Sequence, residues 1–157
     1  MKILSLFALF FCVTGSSYIK ETKKIEIDWR QKLEGDFSFA KKKSIVCDAW
    51  CYEWAGTNGI IAKQRGKDTV ECYTLMNAST HCSLHFLITG DSCVPTIVLN
   101  SIVAGASRIY EGKDGFISID RKLWERRILK ATFALNFKNP ENEKKIYWNG
   151  NIFTKIK

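Results

Sequence analysis

The chain has little of the side-chain chemistry that most active sites are built from. Its only histidines are His81 and His85. On a strand these share a face but sit too far apart to chelate one ion, and no acid adjoins either, so no histidine metal centre is legible. A cysteine nucleophile with a histidine base would need a thiol brought to one of them through space. The glycines are equally sparing. Neither Gly56-x-x-Gly59 nor Gly112-x-x-Gly115 opens a helix, which excludes a phosphate cradle. Two prolines, no low-complexity tract and no internal repeat leave nothing that resembles a linker, so a second domain is not expected.

What is present begins with an N-terminal segment different in kind from the rest. Met1 and Lys2 make a positive start, residues 3–13 are apolar apart from Ser5, and Thr14-Gly15-Ser16-Ser17 supplies small residues. This is the plan of a secretory signal peptide over residues 1–17, with cleavage after Gly15 or Ser17. The run is too short to span a bilayer, and no later apolar segment is long enough to anchor the chain. Phe10 and Phe11, just before Cys12, fill places where a lipoprotein signal wants small residues. The expectation is an exported protein, secreted or periplasmic, with one β-rich domain over residues 18–157.

Among the 157 residues, 46% are hydrophobic and 25% charged, ordinary values for a globular domain. The formal charge is +8, carried by scattered pairs such as Lys23-Lys24, Arg126-Arg127 and Lys144-Lys145. Such a surface is chiefly solubilising, with weak attraction to polyanions or anionic membrane surfaces as its functional reading. Export argues against a nucleic-acid partner.

Period-two alternation dominates from residue 25 onward. In 128–137, Leu129, Ala131, Phe133, Leu135 and Phe137 fall on one side and Lys130, Thr132, Ala134 and Asn136 on the other. Residues 146–156 repeat the pattern with Ile146, Trp148, Ile152 and Ile156, and the polar run 138–145 joins the two as a hairpin. Further strands are expected over 25–29, 33–39, 44–54, 60–63, 69–76, 81–88, 93–103 and 116–120, with turns at 56–59, 65–68, 90–92 and 111–115. The fold class is therefore mainly β, a single antiparallel sandwich or barrel. One short helical segment near 121–127 interrupts it, capped by Asp120 and anchored by Trp124.

Two constellations stand out. Trp50, Tyr52 and Trp54 share one strand face, where rings about 7 Å apart can form a platform for sugars or other planar ligands. Burial in the core is the competing fate and the one that large aromatics in β domains usually meet. Cys72 and Cys82 lie directly opposite in a hairpin centred on Asn77, which makes them the candidate disulfide. A shift of register would leave two unpaired core thiols instead. Cys47 and Cys51 are about 13 Å apart on a strand and cannot bridge, and C-x3-C lacks partners for a metal. Asn77-Ala78-Ser79 is a glycosylation sequon.

No catalytic residue, metal or cofactor is legible. The chain reads as an exported, non-catalytic β domain with a binding or structural role. Alternatives are a carrier of a small apolar ligand inside a closed barrel, and an exported hydrolase on a β scaffold whose acids or thiol–imidazole pair converge only in space.

Overall fold

Ten strands account for most of the described residues. In the computed structural model, which describes residues 23–75, 81–100 and 107–157, they are β1 (Ile25–Arg30), β2 (Cys47–Cys51), β3 (Gly56–Thr57), β4 (Ile60–Gln64) and β5 (Thr69–Thr74). They continue with β6 (Cys82–Thr89), β7 (Ser92–Asn100), β8 (Ser107–Asp120), β9 (Ile128–Phe137) and β10 (Ile146–Lys155). The segment read as a signal peptide and the Asn77 sequon lie outside the described residues.

All ten belong to one sheet, ordered β3-β2-β10-β9-β8-β1-β7-β6-β5-β4, with β7 also pairing β8. The sheet curls into a nearly closed barrel. Its two ends meet because β3 and β4 are stretches of one extended path. β3 pairs β2 and β4 pairs β5. The C-terminus helps to seal the seam, with a parallel bridge of Ala62 to Ile156 and a hydrogen bond of 2.8 Å from Gln64 N–H to the Lys157 carbonyl.

The β9–β10 hairpin is as the alternation requires. Ten residue pairs run in unbroken register from Ile146 opposite Phe137 to Lys155 opposite Ile128. Every residue expected inward on these strands is buried. Trp148, Phe86, Phe133, Leu84, Ile88 and Ile97 are each less than 2 % exposed or at that limit, and they fill the barrel's interior with close-packed core. Phe86 meets Phe133 edge to face at 5.1 Å.

Helix α1 (Arg121–Trp124) follows β8, and Asp120 caps it by accepting from Leu123 N–H at 2.9 Å. The same carboxylate accepts from Leu33 N–H at 3.0 Å. Burial alone would raise the Asp120 pKa. The Leu33 and Leu123 amides and the Lys130 charge outweigh it and hold the carboxyl below its ordinary value. Trp124 packs edge-on against Trp29 at 5.4 Å.

Three expectations are corrected. The sheet is mixed, because β1 runs parallel to β8 while meeting β7 antiparallel only at Ile25 and Glu26. Residues 33–39 form no strand. Gly35 takes φ 134°, breaking the alternation, and a 3-10 turn follows at Ser38–Lys41. This segment instead lies on the outside of the sheet, where Phe37 sits 6.4 Å from Phe153 and Lys130 Nζ donates to the Leu33 carbonyl at 2.7 Å. Residues 111–115 are no turn but a bulge inside the long strand β8, between Gly112 and Asp114. Gly115 is required there, since a Cβ would lie 2.2 Å from the Ala134 carbonyl oxygen at φ 129°.

Candidate functional site

The β2–β3 hairpin turns the two tryptophans of the aromatic triplet to water. Trp50 is 54% exposed and Trp54 84% exposed, while Tyr52 is half-buried against the core. The ladder expected at spacings of two ends at Cys51. There Trp54 N–H donates to the Cys51 carbonyl at 3.0 Å and Cys51 N–H to the Ala55 carbonyl at 3.1 Å, folding 51–55 into a tight turn. Trp54 closes that turn at φ 57°, a left-handed conformation that bulky side chains rarely adopt. Trp50 stands opposite Gly56, with its ring atoms about 3.4 Å from where a Cβ on Gly56 would be. The missing side chain lets the indole lie flat on β3.

Register carries this surface across the sheet. Trp50 pairs with Asn149, Asn149 with Ala134, and Ala134 with Phe116, which is 51% exposed. Three interstrand spacings place the two large rings about 14 Å apart, with only Asn149 and Ala134 between them. The low floor is a shallow trough of about 280 Å³, to which Asn136, Lys145 and Tyr147 also contribute. Lys145 Nζ lies 5.8 Å from the Tyr147 ring centre. The trough opens into a groove of about 530 Å³ that shares Asn136 and Lys145 and adds Lys113, Lys138 and Lys144. Aromatic edges, amide groups and a lysine-rich extension therefore lie on one continuous face.

Behind the tryptophan hairpin lies a cluster that no spacing in the sequence announces. Cys51 Sγ, Cys82 Sγ and a Glu53 carboxylate oxygen all lie within 4.8 Å of one another. Cys82 donates to Glu53 Oε2 at 3.3 Å, and His81 N–H reaches the same oxygen at 3.3 Å. Both thiols are fully buried. The neighbouring Cys82 thiol, helped by the Glu53 and Ala55 amides, draws the Cys51 pKa down against burial. The Cys51 sulfur and burial push Cys82 up. The group offers a metal two soft sulfurs and one carboxylate oxygen, one donor short of a closed tetrahedral zinc site. Glu53 reaches Cys51 because 51–55 folds into a turn, and Cys82 reaches both because the barrel closes.

The disulfide expected between Cys72 and Cys82 is not formed. Cys72 lies opposite Phe86, four residues beyond the expected register, and Cys82 pairs with Leu99 on β7. Cys47, Cys51, Cys72, Cys82 and Cys93 are all free. Cys47 and Cys51 occupy the inner face of β2, and burial with the neighbouring Asp48 charge pushes the Cys47 thiol up to about 12. Burial does the same to Cys93.

The histidines do not join this group through their rings. His85 stacks on Tyr73 at 5.9 Å and shares a 3.1 Å hydrogen bond with Ser83, and burial lowers its pKa. Acids do gather beside Trp29, where Glu26, Asp28 and Asp91 line an open groove. Asp91 there accepts from Trp29 Nε1 at 2.8 Å. Arg30 and then Ser118 hydrogen-bond Asp28 and hold its carboxyl below the usual range, the wrong direction for a general acid. An apolar trough of about 450 Å³ lies at the barrel seam, floored by Val46, Ile60, Ile128 and Phe153 and rimmed by Lys43, Lys155 and Lys157. No described helix is long and apolar enough to cross a membrane.

The chain was compared with protein-family models, with curated proteins and with solved structures, and nothing in any of the three matches it.

Proposed function

We propose that this is an exported, non-catalytic binding domain that holds an acidic glycan or similar ring-bearing polyanion along the outer face of its barrel. The observation that carries the reading is Trp54, an indole held in water by a strained backbone at the tip of a hairpin. Exposing a large apolar ring is unfavourable, and so is the left-handed conformation that presents it, and strain of this kind gathers at binding sites. Trp50 and Phe116 flank a polar trough wide enough for a sugar unit, whose apolar face stacks on indoles. The lysines of the adjoining groove add attraction for carboxylate or sulfate groups.

The test is a tryptophan-fluorescence titration with an acidic polysaccharide such as polygalacturonate, with neutral dextran as control. Trp50→Ala and Trp54→Ala should each weaken binding by about tenfold, the loss expected for truncating a central aromatic contact. Binding should also weaken with salt. Equal affinity in both variants refutes the reading.

The seam trough favours a second reading. Because core side chains fill the barrel, a small apolar ligand would lie between β4 and β10, with an anionic head on Lys43, Lys155 or Lys157. A rise in Tm with a fatty acid, abolished by Phe153→Asp, supports this carrier reading. No rise removes it.

A further inference from the structure

Cys51 lies at the end of β2 and Cys82 at the start of β6. Five strands lie between β2 and β6 in the sheet order, so their sulfurs meet across the barrel rather than along it. The Glu53 carboxylate already bridges the tryptophan hairpin to the start of β6, accepting from Cys82 and from His81 N–H. We propose that Cys51 and Cys82 are the chain's native disulfide, a covalent staple that fixes the hairpin carrying Trp50 and Trp54 to the far side of the barrel. The inference rests on the export reading only in that an oxidising compartment supplies the disulfide donor.

Three observations favour this pair over other partners and over a metal. These two sulfurs already lie within 4.8 Å of each other, and closing to the bonded distance of about 2.05 Å asks for side-chain rotation rather than a new register. Cys47 shares a strand with Cys51, and β6 stands between Cys72 and Cys93 in the sheet. A zinc ion would find three donors and would need a fourth where both thiols have no exposure.

The chemistry balances with a small-molecule disulfide such as oxidised glutathione. The Cys51 thiolate attacks one of its sulfurs, releasing one glutathione thiolate and leaving a mixed disulfide on Cys51. Cys82, giving its proton to the Glu53 carboxylate, then attacks the Cys51 sulfur and expels the second glutathione thiolate. Both expelled thiolates end as thiols, one of them taking the proton that passed through Glu53. Two electrons pass from the protein dithiol to glutathione. Because both sulfurs are buried in the folded barrel, the first attack occurs during folding before the 51–55 turn closes, and the second as it closes and brings Glu53 to Cys82.

The full chain, refolded in an oxidised–reduced glutathione buffer, alkylated and digested, tests the pairing by mass spectrometry. The expected result is one cross-linked species joining the Cys51 and Cys82 peptides, lighter than their sum by two hydrogen atoms, with fragmentation leaving Cys47 alkylated. Reduction should lower Tm by about 10 °C in the wild type, the size expected for a loop of this length. It should not lower Tm in Cys82→Ser, while Cys72→Ser should behave as the wild type. Recovery of both Cys51 and Cys82 alkylated, or a cross-link that maps to another pair, overturns the proposal. If the staple forms in the buffer but protein taken from cells carries both thiols free, the pairing stands and the export reading alone is refuted.

Discussion

Two hairpins on neighbouring strands obey opposite rules. The β9–β10 hairpin keeps ten residue pairs in register, buries every inward position and exposes no aromatic larger than a half-buried Tyr147 or Phe153. The β2–β3 hairpin, paired to β10 on its other edge, has two registered pairs, a strained Trp54 and two indoles in water. One is built for stability and the other spends it. Where propensity, patterning and packing agree, a segment is scaffold. Where a local rule is broken and nothing nearby compensates, the departure marks function.

Breaking the scaffold hairpin should give the largest effect. Trp148→Ala empties a fully buried indole position and should lower unfolding free energy by about 4 kcal/mol, measured by chemical denaturation. A loss near that of a surface substitution would mean the interior is not packed as described.

Next comes the carboxylate that ties the sheet to its external segment. Asp120→Ala removes acceptors from Leu33 N–H and Leu123 N–H, a loss of about 2 kcal/mol. Because the folded pKa lies below the ordinary 3.8, this contribution is complete above that value and fades as pH falls through the depressed one. Wild-type Tm should therefore drop more steeply in strong acid than that of Asp120→Asn. Parallel curves would contradict the assignment.

The scaffold was largely legible in the sequence, and the site was not, for reasons these residues make plain. Leu129 to Phe137 alternate without exception, so strand, face and core position follow from period two alone. Asp120 announced its cap through its place before a short helical run. Trp50, Tyr52 and Trp54 alternate just as cleanly, yet periodicity says only that residues share a face, not which face meets water. For Trp50 that depended on Cys47, Ala49 and Cys51 being the buried set, whereas Trp54 left the ladder for the turn at 51–55. The Cys72–Cys82 expectation failed on register, since a hairpin loop of unknown length fixes no pairing. Cys51 and Cys82 meet only because the sheet closes, a consequence of strand order that no local pattern encodes.

A smaller effect of opposite sign sharpens the contrast between the hairpins. Trp54→Gly relieves the left-handed strain and should stabilise the fold by about 1 kcal/mol, seen as a modest rise in Tm. The same change in β9–β10, such as Phe133→Gly, should only destabilise.

The most direct measurement follows Tm and polygalacturonate affinity together in Trp54→Gly. The account predicts a protein at least as stable as the wild type that binds about tenfold more weakly. A variant that loses stability, or that binds as tightly as the wild type, would contradict the claim that this hairpin trades stability for recognition.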